Sequence, residues 1–351
     1  MTEHSPASGS QRPERTNEPP ERCAVQAGLR GDPMLGTAFP APRLLLVEQP
    51  GPWGRAGLAQ SHFDRTTAHQ LIARLDPQHV RVVAIRRPGR SSPPDRRRWA
   101  VVDCRPGRER LVWGRFDTDQ ELLDLDVDAV LAGRMAMGSG AGSGAPPGGL
   151  KGPATVDDEP LFAVCAHGTH DVCCALMGRP VAAALDDARP GRVWECSHVG
   201  GDRFAANVLV LPTGLLYGRV GAHAVGPLAD ATDRGVVLEQ YLRGRVGFAP
   251  EVQAAMAFAH GQSPGLRVRD VRFEGLSPIG PDMVAVRLNC AGRVADVRVQ
   301  SARADPNWLT CQAAQPARAT VYQPLSMTWT DPGETSDGVG RHPPSGPNGH
   351  G

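Results

Sequence analysis

A stretch rich in glycine, serine and proline divides this chain into two blocks of apolar segments. Residues 138–154 read GSGAGSGAPPGGLKGPA, a composition that is flexible and that opposes regular structure. On both sides of it, apolar runs and helical patterns follow one another as strand, helix, three strands and a closing helix. This order predicts a mixed α/β (α+β) fold with two similar units, joined by a linker over residues 138–156.

The two units also share the character of their hairpins. Residues 36–137 contain VVDCRPGRERLVWGRF, and residues 157–247 contain NVLVLPTGLLYGRV. Both run from an apolar strand through a turn with proline and glycine to a second apolar strand that ends in aromatic-Gly-Arg. We interpret the first unit as a degenerate copy of a thioredoxin-like second unit. The simpler alternative, that any α/β unit with a hairpin shows this pattern, stays open.

The rest of the chain differs in composition. Residues 1–35 and 329–351 are polar and rich in proline, glycine or charge, which predicts disordered tails. Residues 248–328 begin with a helical pattern and continue with alternating segments, which predicts a small helix-plus-antiparallel-sheet region. The N-terminus lacks the apolar core of a secretory signal, and every apolar run is far shorter than the ~20 residues of a membrane span. We therefore expect a cytoplasmic protein without a membrane partner.

The formal net charge of +1 gives no electrostatic reason to expect nucleic acid as a partner either. In a reducing cytoplasm, clustered cysteines indicate metal binding or redox chemistry more than structural disulfides. Four of the eight cysteines and three of the eleven histidines fall between residues 161 and 220. These residues are Cys165, Cys173, Cys174, Cys196, His167, His170 and His198.

Two of these cysteines bracket a loop between a strand and a helix. The strand LFAVC ends at Cys165, and Cys174 opens the next helix, where free N–H groups and the helix dipole stabilise a thiolate. Because Cys173 and Cys174 are consecutive, they point in different directions, which leaves Cys173 as a packing residue or a reserve ligand. The two loop histidines are expected to support the site from outside, and Asp171 is a candidate helix cap.

A second loop follows the strand RVWECSH. Cys196 and His198 are two residues apart, so they face the same side of a regular strand. Gly200 and Gly201 allow the backbone to approach a ligand closely, and Asp202 comes next. The loop therefore offers three candidate ligands: Cys196, His198 and Asp202.

The other cysteines have simpler interpretations. Cys104, Cys290 and Cys311 are expected to be small buried hydrophobic side chains. Cys311 lies in an irregular stretch, however, and is also a candidate for a second site. Cys23 lies in the predicted tail, and we interpret it as an incidental thiol.

Three motifs carry a resemblance to a known family. They are CAHGTHDVCC at 165–174, GRPVA at 178–182 and SHVGGDRFAANVLVLPTGLLYGRV at 197–220. WGR at 53–55 and LTCQA at 309–313 fit a longer bacterial form of the same family. Over roughly residues 40–320 the chain resembles the sucrase/ferredoxin-like family, whose core is a thioredoxin-like ferredoxin.

The resemblance implies a [2Fe–2S] cluster held by two cysteines nine positions apart and by two histidines of an H-V-G-G-H turn. The matching positions here are Cys165, Cys174 and His198. The fourth falls on Asp202, a harder ligand than such clusters usually have. Cys196 is the other candidate for the fourth ligand, and Cys173 is the reserve.

The implied function is that of a one-electron carrier or redox protein, more than of a self-contained enzyme, working with an unidentified reductase or electron acceptor. Two alternatives remain open: a thiol-based oxidoreductase on the same fold, which would use Cys173 or Cys174, and a structural zinc-binding module with the same ligands as the cluster. A sucrose-cleaving hydrolase is disfavoured, because the sequence has no recognisable carboxylate pair or nucleophile motif. Nothing in the sequence indicates an oligomeric state.

Overall fold

The computed structural model describes residues 22–89, 95–134 and 154–330. Most of the predicted linker and of both predicted tails lies outside these ranges. Ten strands of the described chain form one mixed sheet: β1 (Arg43–Glu48), β2 (Val80–Arg86), β3 (Arg97–Asp103), β4 (Arg110–Phe116), β5 (Thr155–Val156), β6 (Leu161–Cys165), β7 (Val193–Cys196), β8 (Val208–Leu211), β9 (Leu215–Tyr217) and β10 (Leu242–Arg245).

A second, four-stranded antiparallel sheet and six α-helices complete the described structure. The sheet consists of β11 (Val271–Gly280), β12 (Met283–Cys290), β13 (Arg293–Arg303) and β14 (Thr320–Thr330). The helices are α1 (Cys23–Leu29), α2 (Arg65–Leu75), α3 (Val127–Leu131), α4 (Val172–Ala188), α5 (Val225–Arg234) and α6 (Pro250–Gln262). The prediction of a mixed α/β chain with a small antiparallel region is confirmed. None of the described helices is long and apolar enough to cross a membrane.

The large sheet has the order β10-β9-β8-β6-β7-β2-β1-β3-β4-β5. Its two halves repeat one pattern. In the first half β1 pairs parallel with β2 and antiparallel with β3, which pairs antiparallel with β4. In the second half β6 pairs parallel with β7 and antiparallel with β8, which pairs antiparallel with β9. The halves meet where β2 pairs antiparallel with β7, so they share one sheet.

Local sequence explains several of these elements. Strand β1 is a run of apolar residues because both faces of the sheet are covered, and Leu44 to Val47 are fully buried. Helix α2 begins after Asp64, whose carboxylate accepts a hydrogen bond from the Thr67 amide. Helix α5 ends at Arg234 because Gly235 adopts a left-handed backbone with φ of 67°.

The structure corrects the predicted ends of the chain. Residues 23–29, assigned to a disordered tail, form α1, and Cys23, Ala24 and Ala27 are buried there. Residues 1–35 are polar on the whole, so the short apolar face of α1 was not recognised in the sequence. Strand β5 lies inside the predicted linker, and β14 extends to Thr330, beyond the predicted end of the ordered chain.

The closing helix predicted for the first unit is also interrupted. Residues 117–133 contain a 3-10 helix, Asp119–Asp124, followed by the short helix α3. The break occurs because Leu125 and Asp126 are extended, and the Asp126 carboxylate caps a new helix by accepting from the Ala129 amide.

Candidate metal centre

The candidate ligands meet at the carboxyl ends of two parallel strands. Strands β6 and β7 pair so that Cys165 lies opposite Cys196, and the cysteine loop and the glycine loop leave the sheet side by side. In open α/β sheets this edge is the usual place for a ligand. The topology therefore brings together loops that are about thirty residues apart in the chain.

Close packing of α4 on β6 positions the two thiols. Asp171 caps α4 by accepting from the Cys173 amide at 2.8 Å, which places Cys174 in the first helical turn. Gly178, one turn further, lies directly against the end of β6, and a Cβ added there would overlap the carbonyl oxygen of Cys165. Glycine at this position allows the helix to bring Cys174 close to Cys165.

A buried arginine shapes the glycine loop. Gly200 and Gly201 have φ of 77° and 74°, a conformation that favours glycine. The fully buried guanidinium of Arg243 fits against Gly201 and donates to the Gly200 carbonyl at 2.8 Å and to Asn207 Oδ1 at 2.7 Å. The buried, positively charged Arg243 thus stabilises the loop that carries His198 and Asp202.

The ligand atoms of Cys165, Cys174 and His198 all lie within 4.8 Å of one another. Asp202 is not part of this group but adjoins two of its members: its Oδ1 accepts from Cys174 Sγ at 3.2 Å and lies 3.0 Å from His198 Nδ1. The fourth position that the family resemblance selects therefore lies beside the other three.

His170, which the sequence assigned to a supporting position, lies in the same place. Its ring stacks on that of His198 with centroids 3.7 Å apart, and its Nε2 lies 3.7 Å from Asp202 Oδ2. His170, His198 and Asp202 form a second group of ligand atoms within 4.8 Å. The conformation of the cysteine loop determines where His170 lies. The only indication in the sequence was that His170 follows Cys165 by five residues.

His167 has the supporting role that the sequence predicts. Its Nδ1 accepts from the His198 amide at 3.1 Å, and its Nε2 bonds to the Gly54 carbonyl at 2.8 Å. Together these contacts indicate the neutral tautomer with the proton on Nε2. Trp53 packs edge-on against the ring, and burial lowers the pKa of His167. The WGR segment at 53–55 thus supports the centre from the other half of the sheet.

The two remaining candidate cysteines lie outside these groups. Cys196 is fully buried in the apolar core beside Cys165, among residues such as Val199 and Trp194. Cys173 turns away from Cys174, as expected for consecutive residues, and contacts other thiols. Neither has a ligand atom within 4.8 Å of all members of the two groups.

The groups of the centre depend strongly on one another for their charge. The hydrogen bond from Cys174 and the contact with His198 hold the pKa of Cys165 well below its usual value, although burial opposes this. The same ionised Cys165, together with burial, raises the pKa of Cys174. Burial lowers the pKa of His198, but Asp202 and Cys165 outweigh it and raise the pKa to about 9. Binding a cation here would therefore release protons.

One buried nitrogen supports a role in metal binding. His198 Nδ1 is buried and lies 3.0 Å from Asp202 Oδ1 as an ion-pair contact, without a geometrically regular hydrogen bond. Buried polar atoms nearly always form a regular hydrogen bond, so a nitrogen whose contact is a carboxylate beside thiols fits a metal ligand. The donor set of two sulfurs, imidazole nitrogen and a carboxylate suits zinc or an iron–sulfur cluster.

The centre has a buried side and an accessible side. The thiols of Cys165 and Cys174 are at most 1% exposed, whereas the side chains of His170 and His198 are 24% exposed. A bound group would be reached from solvent through the imidazoles and shielded on its sulfur side.

Glu195, the other acidic residue near the glycine loop, makes an ion pair of 2.7 Å with Arg86. It therefore offers no free second carboxylate beside Asp202, and the geometry gives a sugar hydrolase no support.

Two yeast proteins share part of this sequence. The chain is 31% identical over 105 residues to "Altered inheritance of mitochondria protein 32" of Meyerozyma guilliermondii, a match that covers 27% of this chain and 37% of that protein. It is 27% identical over 103 residues to the protein of the same name from Candida glabrata, covering 25% and 33%. The match thus spans about a third of these curated relatives.

No solved structure matches the chain. The sequence profile of the sucrase/ferredoxin-like family, in contrast, matches residues 34–244. This range contains both ligand loops, the WGR segment and nearly all of the large sheet. The chain belongs to the sucrase/ferredoxin-like family.

Proposed function

We propose that this protein is an electron-transfer or redox protein with a [2Fe–2S] cluster. The observation that carries the proposal is the meeting of two buried thiols with His198 and Asp202 at the ends of β6 and β7. A [2Fe–2S] cluster bound there would accept and release one electron at a time. Cys165 and Cys174 would be its thiolate ligands, and His198 its imidazole ligand.

The contacts favour Asp202 as the fourth ligand. Its Oδ1 lies within 3.2 Å of both Cys174 Sγ and His198 Nδ1, so it adjoins two of the three proposed ligands. It also stands where the family pattern has a second histidine. His170 is the nearest nitrogen that could take its place, and Cys196 lies in the core outside the group. His170 is therefore a better competitor of Asp202 for the fourth position than Cys196 is.

The surroundings suit electron transfer. Arg243 compensates part of the negative charge of the thiolates from the buried side, and a less negative site has a higher reduction potential. His170 and His198 form the accessible edge, where a redox partner would dock. The strand order β7-β6-β8-β9 with α4 and α5 supports our assignment of this half to a thioredoxin-like ferredoxin, with the first half as its degenerate copy.

A thiol oxidoreductase is the weaker alternative. An attacking thiolate must be accessible, and both Cys173 and Cys174 are fully buried. A zinc module remains the competing proposal, since three ligand atoms within 4.8 Å also suit a single tetrahedral ion.

Chemical analysis separates these possibilities. The protein, purified anaerobically, should contain iron and acid-labile sulfide in equal amounts and absorb visible light. Cys165→Ala and Cys174→Ala should lose the iron, the sulfide and the visible absorption. The control is Cys104→Ala, which removes a fully buried thiol outside both ligand groups and should retain all three. A colourless protein that contains zinc and no sulfide would overturn the proposal.

A further inference from the structure

A second cluster of sulfur atoms lies beside the first, on residues that the proposed function does not use. Cys23 at the start of α1, Cys173 in the first turn of α4 and Cys311 in the loop between β13 and β14 converge. The Sγ atoms of Cys23 and Cys173 are 3.8 Å apart, and each lies 3.4 Å from that of Cys311. Three thiols from distant parts of the chain thus form one triangle.

We propose that Cys23, Cys173 and Cys311, with Asp171, form a separate site for one tetrahedral metal ion, and that the ion is zinc. Two thiolates bound to the same zinc at about 2.3 Å lie about 3.8 Å apart, which is close to all three distances of the triangle. A [2Fe–2S] cluster places at most two of its protein thiolates on one iron atom, and a [4Fe–4S] cluster places each on its own, so neither brings three thiolates this close together. The mutual proximity of three sulfurs therefore points to a single ion.

A disulfide explains the triangle less well. A disulfide joins two sulfurs at about 2.05 Å and leaves the third thiol without a partner. Here each of the three sulfurs approaches both others at nearly equal distances. Equal spacing is expected when all three surround a common point.

Asp171 supplies the fourth ligand. Its Oδ2 lies 3.7 Å from Cys23 Sγ and accepts from the Thr310 hydroxyl at 2.8 Å and from the Cys311 amide at 2.6 Å. Its Oδ1 accepts from the Cys173 amide at 2.8 Å. These donors fix the orientation of a fully buried carboxylate beside the triangle, as outer hydrogen bonds do for metal-ligating carboxylates. Cys311 is exposed and leaves a path by which an ion can enter.

The consecutive cysteines therefore serve two sites. Cys174 faces the candidate iron–sulfur centre, and Cys173 faces the zinc site. The zinc would tie α1 and the loop before β14 to the cysteine loop, across 150 and 138 residues of chain. The loop before β14 also contacts residues around the first centre, since Gln312 bonds to the Thr169 carbonyl at 3.3 Å and to Arg55. The role of the zinc would be structural: it would hold the loop before β14 beside the first centre.

Metal analysis of the full chain tests the site independently of the proposed function. Zinc, iron and sulfide are measured in the wild type and in Cys23→Ala, Cys173→Ala and Cys311→Ala. We expect about one zinc per chain, lost in all three variants, with iron and sulfide unchanged. Cys290→Ala, a buried thiol of β12, is the matched control and should keep the zinc. Cys165→Ala should lose iron and keep this zinc, so either proposal can fail alone.

Cobalt replacement provides a second measurement that does not depend on zinc content. Cobalt(II) in the site should show thiolate-to-metal charge transfer and the intense visible absorption of a tetrahedral complex. Cys311→Ala changes only an exposed loop residue, so the fold should survive and the absorption should disappear. Three results would overturn the proposal: zinc retained in all variants, iron lost together with zinc, or a mass that shows a disulfide among the three cysteines.

Discussion

Alanine at Gly178 should push helix α4 away from strand β6 and weaken the centre. The added Cβ would overlap the carbonyl oxygen of Cys165 and lie 3.1 Å from its carbonyl carbon. Backbone atoms cannot rotate aside, so the helix itself must move. Overpacking of this kind costs about 1–3 kcal/mol, and the gain of alanine over glycine inside a helix offsets roughly 1 kcal/mol of that cost. We expect a net loss of up to about 2 kcal/mol.

The assay is urea unfolding followed by circular dichroism, together with the visible absorption of the purified protein. The matched control is Gly226→Ala in α5, where an added Cβ meets nothing within 4 Å. It should leave the absorption unchanged and raise the free energy of unfolding by up to about 1 kcal/mol. If Gly178→Ala is as stable as Gly226→Ala and binds a full complement of iron, close packing of α4 on β6 does not position the thiols.

Other residues give predictions that the same unfolding assay can check. Burial lowers the pKa of His260 to about 4, well below its unfolded value near 6.5, so the unfolded chain takes up this proton first as the pH falls. Between pH 6.5 and 4 the free energy of unfolding of the wild type should therefore fall by about 3 kcal/mol more than that of His260→Gln. An equal fall in both proteins would contradict the lowered pKa of His260. Arg243→Lys should lower the free energy of unfolding by about 3 kcal/mol, because a lysine cannot replace the hydrogen bonds to the Gly200 carbonyl and Asn207. A change near zero would show that Arg243 does not stabilise the glycine loop. Cys196→Ala should cost about 1 kcal/mol and leave the visible spectrum intact, whereas bleaching would make Cys196 a ligand.

Local patterns predicted much of the second half of the large sheet. The apolar run ending at Cys165, the turn around Gly214 and the glycine pair at 200–201 each specify their own conformation within a few residues. For this reason the positions of the two ligand loops could be derived without the structure. The parallel pairing of β6 with β7 then brings the loops together, as alternating strands and helices require.

Contacts between distant segments could not be predicted in this way. Cys23 lies in a polar stretch and Cys311 in an irregular one, and only the folded chain brings them to Cys173. The side of the loop to which His170 turns depends on backbone angles that the sequence does not specify. Likewise, the joining of the halves into one sheet rests on two residue pairs between β2 and β7, which carry no sequence signal of their own.

Low-temperature electron paramagnetic resonance of the dithionite-reduced protein tests the central claim most directly. A [2Fe–2S] cluster with Cys165, Cys174 and His198 as ligands should give a spin-half signal with strong coupling to a nitrogen nucleus. The coupling should disappear in His198→Cys, and Asp202→Ala should shift the signal or abolish it while His170→Ala leaves it unchanged. A reduced protein without a signal, or a signal without nitrogen coupling, would contradict the account.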